Sequence, residues 1–77
     1  MIVLIPAYEP DGRLPALVDA LIAADPAVRI VVVDDGSGPA FRPVFDAVAA
    51  RDAVVLRHSV NRGKGAALKT GFRFAAL

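Results

Sequence analysis

"IVVVDDGSG" (Ile30–Gly38) decides the architecture of this chain. Four consecutive β-branched residues make a strand that needs apolar cover on both faces, as strands of parallel sheets do. The Asp-Asp-Gly-Ser-Gly that follows is turn chemistry, so the strand ends in a polar loop at its carboxyl end. Two more short apolar runs share this plan, "IVLI" at Ile2–Ile5 and "AVVL" at Ala53–Leu56, followed by the loops "PAYEPDG" and "RHSVNRGKG".

The segments between these runs have helical spacing. Leu14, Leu17, Val18, Leu21 and Ile22 form one apolar stripe, with Asp11 or Gly12 at the helix start and Pro15 in its first turn. Phe41, Val44, Phe45 and Val48 repeat the pattern, and Pro39 and Pro43 confine the start of that second helix. A third helix opens near Gly63–Gly65, with Leu68, Gly71, Phe72, Ala75 and Ala76 predicted on its sheet-facing side. Ala67, Phe74 and Leu77 then form a second apolar surface, which predicts further polypeptide to cover it and self-association without that cover. The order predicts an α/β fold, a three-layer Rossmann-like β-α-β-α-β-α unit with a parallel sheet. In such sheets the ligand crevice lies outside the carboxyl ends of the strands, so all three loops should face one pocket.

Composition narrows the class. At 77 residues the chain is one domain at most, and its 56% hydrophobic content is too high for disorder. Nine basic residues offset by eight acidic ones give no basic stripe, so nucleic acid is not an expected partner. There is no cysteine for a disulfide framework. No stretch reaches the roughly 18 consecutive apolar residues of a membrane span, and the expected location is cytoplasmic.

The loops hold the candidate chemistry. Adjacent residues of an extended chain point to opposite sides, so Asp34 and Asp35 should have different jobs rather than act as a dyad. One can hold the loop by accepting backbone N–H bonds; the other can accept from a nucleobase or ribose. Gly36 permits the tight turn, and Ser37 is placed to cap the following helix. The same residues also suit a plain strand-to-helix turn. In "NRGKGAALKTG" (Asn61–Gly71), Arg62, Lys64 and the N–H groups of a helix start converge as they would on a diphosphate, although a solvated basic turn has the same composition. The spacing is neither that of a Walker A loop nor that of a dinucleotide fingerprint. In the first loop, Tyr8 offers a flat wall and Glu9 an acceptor, with Pro6 stiffening the strand exit. His58 reads as a solvated loop residue, and Arg51, Lys69 and Arg73 as solvated helix faces.

Taken together, "VLIPAYEPDGRLPALVDAL", "IVVVDDGSG" and "VNRGKGAALKTGF" resemble the N-terminal part of family 2 glycosyltransferases of GT-A fold, nearest to the branch of dolichyl- and polyprenyl-phosphate sugar synthases. The resemblance covers essentially all residues and implies a truncated GT-A fold, with residues 1–77 as the N-terminal nucleotide-sugar-binding part of an incomplete transferase domain. It implies that Pro6, Ala7, Tyr8 and Glu9 line the nucleotide pocket. Asp35 would contact the base, Asp34 with Gly36 would support the loop, and Lys64 with Arg62 would lie beside the phosphates. The implied donor is a nucleoside-diphosphate sugar, and the acceptor a lipid phosphate or glycan, with the full-length parent at the membrane surface. Two local departures from the family pattern are Glu9-Pro10 where Asn often follows the tyrosine, and Gly38-Pro39 where Thr-Asp often follows "DDGS". The family's Asp-x-Asp motif for a divalent Mg or Mn ion and its catalytic base fall on later elements, so a chain of these residues alone is expected to be catalytically silent. Two alternatives stand beside this one: a nucleotidyltransferase-like enzyme, against which the lack of a basic residue within "PAYEPDG" counts, and a non-catalytic nucleotide-binding or interaction module.

Overall fold

The computed structural model describes residues 1–76. Three strands, β1 (Ile2–Ala7), β2 (Arg29–Asp35) and β3 (Val54–His58), alternate with three helices, α1 (Arg13–Ala24), α2 (Arg42–Ala49) and α3 (Lys64–Ala75), and a 3-10 turn at Pro39–Phe41 leads into α2. The strands pair in parallel in the order β1-β2-β3, so β2 is the covered middle strand. That position explains why its apolar run is continuous: Ile30 to Val33 are all buried.

Alternation along β2 divides the molecule into layers. Ile30 and Val32 face α1 and α2 and join Leu14, Val18, Phe45, Val48 and Ala53 in the main core. Val33 and Leu4 face the other way, onto α3 at Gly71. The result is the three-layer α/β arrangement that the sequence pattern predicts, with two helices on one face and the third on the other.

The helix starts follow local chemistry. Before α1, Asp11 Oδ1 accepts from Arg13 N at 2.9 Å, while Gly12 stands at the cap and Pro15 falls in the first turn, where its missing N–H costs nothing. Pro43 likewise sits in the first turn of α2. Ser37 does not cap α2. Gly38 precedes the 3-10 turn without a side-chain cap bond, and the Ser37 hydroxyl is used elsewhere, as described below.

Helix phase departs from expectation at two places. Leu17 is exposed rather than part of the α1 stripe, of which Leu14 and Val18 form the buried centre. In α3 the predicted faces are interchanged at key positions: Ala67 is fully buried, whereas Phe72 is 62% exposed and Ala75 and Ala76 are exposed. The α3 residues buried against the sheet are the small ones, Ala67 and Gly71, the latter beside the Leu4 and Val33 side chains. Phe74 remains partly exposed at 39%, and Leu77 lies outside the described residues. Arg51 is not simply solvated: its guanidinium joins Asp19 of α1 at 2.6 Å and the Ala47 carbonyl, bridging α1 to the end of α2.

Candidate nucleotide site

The parallel register brings the three loops to one edge of the sheet. Ala7 pairs with Asp34, Asp34 with Arg57, and Asp35 with His58, so each strand delivers its last residues at the same level. There a hollow of about 310 Å³ is lined by Pro6, Ala7, Tyr8, Asp35, Asn61, Gly63 and Lys64, a volume at the lower end of small-molecule sites. A larger hollow of about 410 Å³ lies at the opposite end of the strands, between Ile2, Arg29, Val54 and Phe74, away from every loop with candidate chemistry.

The two aspartates point to opposite sides of β2, as the extended backbone requires. On the α1/α2 side, Asp34 is buried; its Oδ1 accepts from Ser37 N at 2.9 Å and its Oδ2 from Arg57 Nε at 3.0 Å. The first bond closes the turn and the second ties β2 to β3. On the α3 side, Asp35 is only 3% exposed, and it accepts three bonds. Oδ1 takes His58 Nδ1 at 2.8 Å and Arg62 N at 2.9 Å, and Oδ2 takes Gly63 N at 2.9 Å. The His58 bond, then the backbone bonds from Arg62 and Gly63, hold this carboxyl below the ordinary aspartate range despite the opposing effect of desolvation. Asp35 is therefore a carboxylate at neutral pH. A carboxylate offers about four acceptor positions, so the one left open is on Oδ2.

Gly36 joins the second loop to the third. Its φ of +75° is left-handed, and a Cβ there would collide with the backbone of Val60 and Asn61. Glycine is thus demanded twice, by conformation and by the close passage of the segment that precedes α3. Ser37 joins the second loop to the first: its Oγ accepts from Glu9 N at 2.8 Å. Glu9 has a left-handed backbone, φ +49°, uncommon for a non-glycine residue, and this bond anchors its N–H there. Tyr8, half exposed, has its hydroxyl pushed above the ordinary phenol value, first by the neighbouring Glu9 carboxylate, then by partial desolvation and the charge of Asp35. It stays a neutral donor.

Of the residues anticipated for the site, Pro6, Ala7, Tyr8, Asp35 and Lys64 share the hollow. Glu9 lines a neighbouring hollow beside β1, and Asp34 and Gly36 line another on the far side of β2 with Arg42 and Arg57. The exposed Arg62 meets the site through its backbone, whose N–H donates to Asp35. Asn61 and Gly63 join the lining. His58 corrects the reading of a solvated loop residue: it is the last residue of β3, buried, and bonded on both ring nitrogens, with Nε2 at 2.7 Å from Thr70 Oγ1. Only the pairing of His58 with Asp35 across the sheet could have marked it.

Among the described residues no group of three or more His, Asp or Glu side chains is placed to hold a metal ion. Asp34 and Asp35 are turned to Arg57, His58 and backbone N–H groups, a donor environment that does not suit a cation. Among the same residues no helix is long and apolar enough to cross a membrane.

The sequence model of Glycosyl transferase family 2 matches residues 2–76. The chain belongs to that family. It is 39% identical over 74 residues to the polyprenol monophosphomannose synthase of Mycolicibacterium smegmatis (strain ATCC 700084 / mc(2)155), an alignment covering 92% of this chain and 28% of that protein. No solved structure gives a significant match. The likeness to a polyprenol monophosphomannose synthase agrees with the polyprenyl-phosphate branch suggested by the three sequence motifs. The chain thus spans a little over a quarter of that relative's length.

Proposed function

We propose that these residues form the nucleotide-binding part of a glycosyltransferase that moves a sugar from a nucleoside-diphosphate donor to a lipid phosphate or glycan acceptor. The observation that carries the reading is the shared hollow: a buried carboxylate with one open acceptor position, Asp35, and a cation at a helix start, Lys64, line the same cavity in a family 2 chain. A nucleotide has complementary groups at matching ends. Asp35 Oδ2 is assigned to a base N–H or ribose hydroxyl, and Tyr8 with Pro6 and Ala7 to the wall of the nucleoside pocket. Lys64 and the free N–H groups of the first turn of α3 are assigned to the diphosphate, with the exposed Arg62 side chain, outside the lining, adding positive charge nearby.

In the transfer, the bond from the anomeric carbon to the diphosphate oxygen breaks with its electron pair left on that oxygen, and a bond to the acceptor oxygen forms. An ionised lipid-phosphate oxygen attacks with no proton to lose, whereas a glycan hydroxyl must give its proton to a base that the described residues do not supply. Negative charge grows on the leaving diphosphate, where Lys64 and the positive end of α3 stabilise it. A divalent ion belongs to the family's usual chemistry, but the described residues do not supply its ligands, and no part of this reading passes through one. The name of the mycobacterial relative joins a polyprenol monophosphate to mannose, which supports a lipid phosphate as acceptor and a working position at the membrane surface.

Calorimetric titration with GDP and UDP tests the site. At least one should bind, Lys64→Ala should weaken it by about tenfold or more, and Asp46→Ala, an exposed carboxylate of α2 outside the hollow, should leave affinity unchanged. Equal affinities for the two variants would defeat the assignment.

A further inference from the structure

Thr70 lies well inside α3, beyond its first turn, and does not line the hollow, yet it is the far end of a continuous polar chain that reaches it. Thr70 Oγ1 stands 2.7 Å from His58 Nε2, His58 Nδ1 stands 2.8 Å from Asp35 Oδ1, and the Asp35 carboxylate accepts from Arg62 N and Gly63 N, each at 2.9 Å. Directions follow from chemistry. A carboxylate only accepts, so Nδ1 carries a proton toward Asp35, while Nε2 pairs with the Thr70 hydroxyl, a group able to donate to the ring or accept from it. No buried side-chain polar atom among the described residues is left without a partner.

The route of this chain separates it from ordinary core polarity. β2 and β3 are already held in register by their backbone ladder, so the side-chain bond between Asp35 and His58 adds no new connection between strands. What the chain adds is a return path. It leaves α3 at Thr70, crosses two strand ends and comes back to Arg62 and Gly63, the two residues immediately before α3. It therefore fixes the entry into α3 against the body of the same helix. Asn61, Gly63 and Lys64, which belong to that entry, line the hollow. Donors on both oxygens, two on Oδ1 and Gly63 N on Oδ2, fix the plane of the Asp35 carboxylate and with it the open position of Oδ2.

We infer that Thr70 and His58 are positioning residues: by orienting Asp35 they set the Asn61–Lys64 wall of the hollow, and through it the affinity for a nucleoside diphosphate. The link to affinity rests on the nucleotide reading above; the effect on the wall does not.

Thr70→Val removes the hydroxyl at nearly constant volume, and Thr70→Ser restores it. Amide hydrogen exchange is read at Arg62 and Gly63, with Val32 in the middle strand as the reporter of global opening, and GDP and UDP affinities are read by calorimetry. Loss of one buried bond in the chain should speed exchange at Arg62 and Gly63 relative to Val32 by about three- to tenfold and weaken the nucleotide that binds by a similar factor, with Thr70→Ser near wild type on both. Exchange that rises equally at all three amides would show a merely structural threonine and overturn the inference. So would normal exchange at Arg62 and Gly63 in Thr70→Val. A wild-type chain that binds neither nucleotide would defeat the nucleotide reading and with it the effect on affinity, while the exchange ratio still decides whether the polar chain sets the wall.

Discussion

The two faces of the sheet are built on different principles. Against α1 and α2 the contact is made by large side chains, with Val18, Val32, Phe45 and Val48 essentially removed from solvent. Against α3 the buried helix residues are Ala67 and Gly71, and the helix's aromatic side chains, Phe72 and Phe74, stand partly or mostly outside. Large apolar contacts supply most of the burial on the first face. Small buried residues and a polar chain place the helix on the second. The difference matters because the second face carries the candidate site: a helix held by small residues and directed hydrogen bonds has a defined position with little buried apolar area.

That contrast can be broken most directly with a pair of truncations. Phe45→Ala should cost about 3–5 kcal/mol, a large share of the roughly 5–15 kcal/mol typical of a domain. Phe72→Ala should stay within about 0.5 kcal/mol, as exposed positions do. Denaturant unfolding of the two variants reads both values, and similar losses would mean that α3 is packed by its aromatics after all.

Next in size is Gly36→Ala, which acts at the edge where the faces meet. A methyl group here meets the backbone of Val60 and Asn61 in a left-handed conformation, and backbone cannot step aside as a flexible side chain can. The expected loss is about 2 kcal/mol or more, with amide shifts spreading from the second loop to the entry of α3. An unperturbed spectrum with unchanged stability would show that the two loops do not depend on each other.

The smallest effect sharpens the comparison. A Cβ at Gly71 would stand 3.4–3.6 Å from Leu4 and Val33 side chains, ordinary contact rather than collision. Gly71→Ala should therefore gain up to about 1 kcal/mol from helix propensity, read as a higher denaturation midpoint. A loss would mean that α3 packs against β1 more tightly than its side-chain contacts indicate.

Much of this was legible in the residues. The three β-branched runs, the proline-marked helix starts and the polar loop after each strand follow from local chemistry, and they suffice for the α/β order and for a crevice at the carboxyl edge. The opposed aspartates were legible too, because alternation along a strand is geometric. Other features were not. Periodicity tells that a helix has an apolar side but not where that side is centred, so Phe72 and Ala67 exchanged places once α3 settled close against the sheet. Ser37 has the right type for a cap, and only the neighbouring first loop turned its hydroxyl to Glu9. His58 and Arg57 looked like the start of a loop until strand pairing set each beside an aspartate.

The sequence by itself therefore determined the elements, their order and the edge of the sheet at which the chemistry lies, since these depend on contacts between near neighbours in the chain. Tertiary structure alone decided which carboxylate is spent on Arg57 and which on His58 and the entry to α3, and that the Ser37 hydroxyl serves Glu9 rather than a helix cap. Those outcomes depend on register and on the distance between layers, quantities set when segments about 12 to 28 residues apart in the chain come into contact.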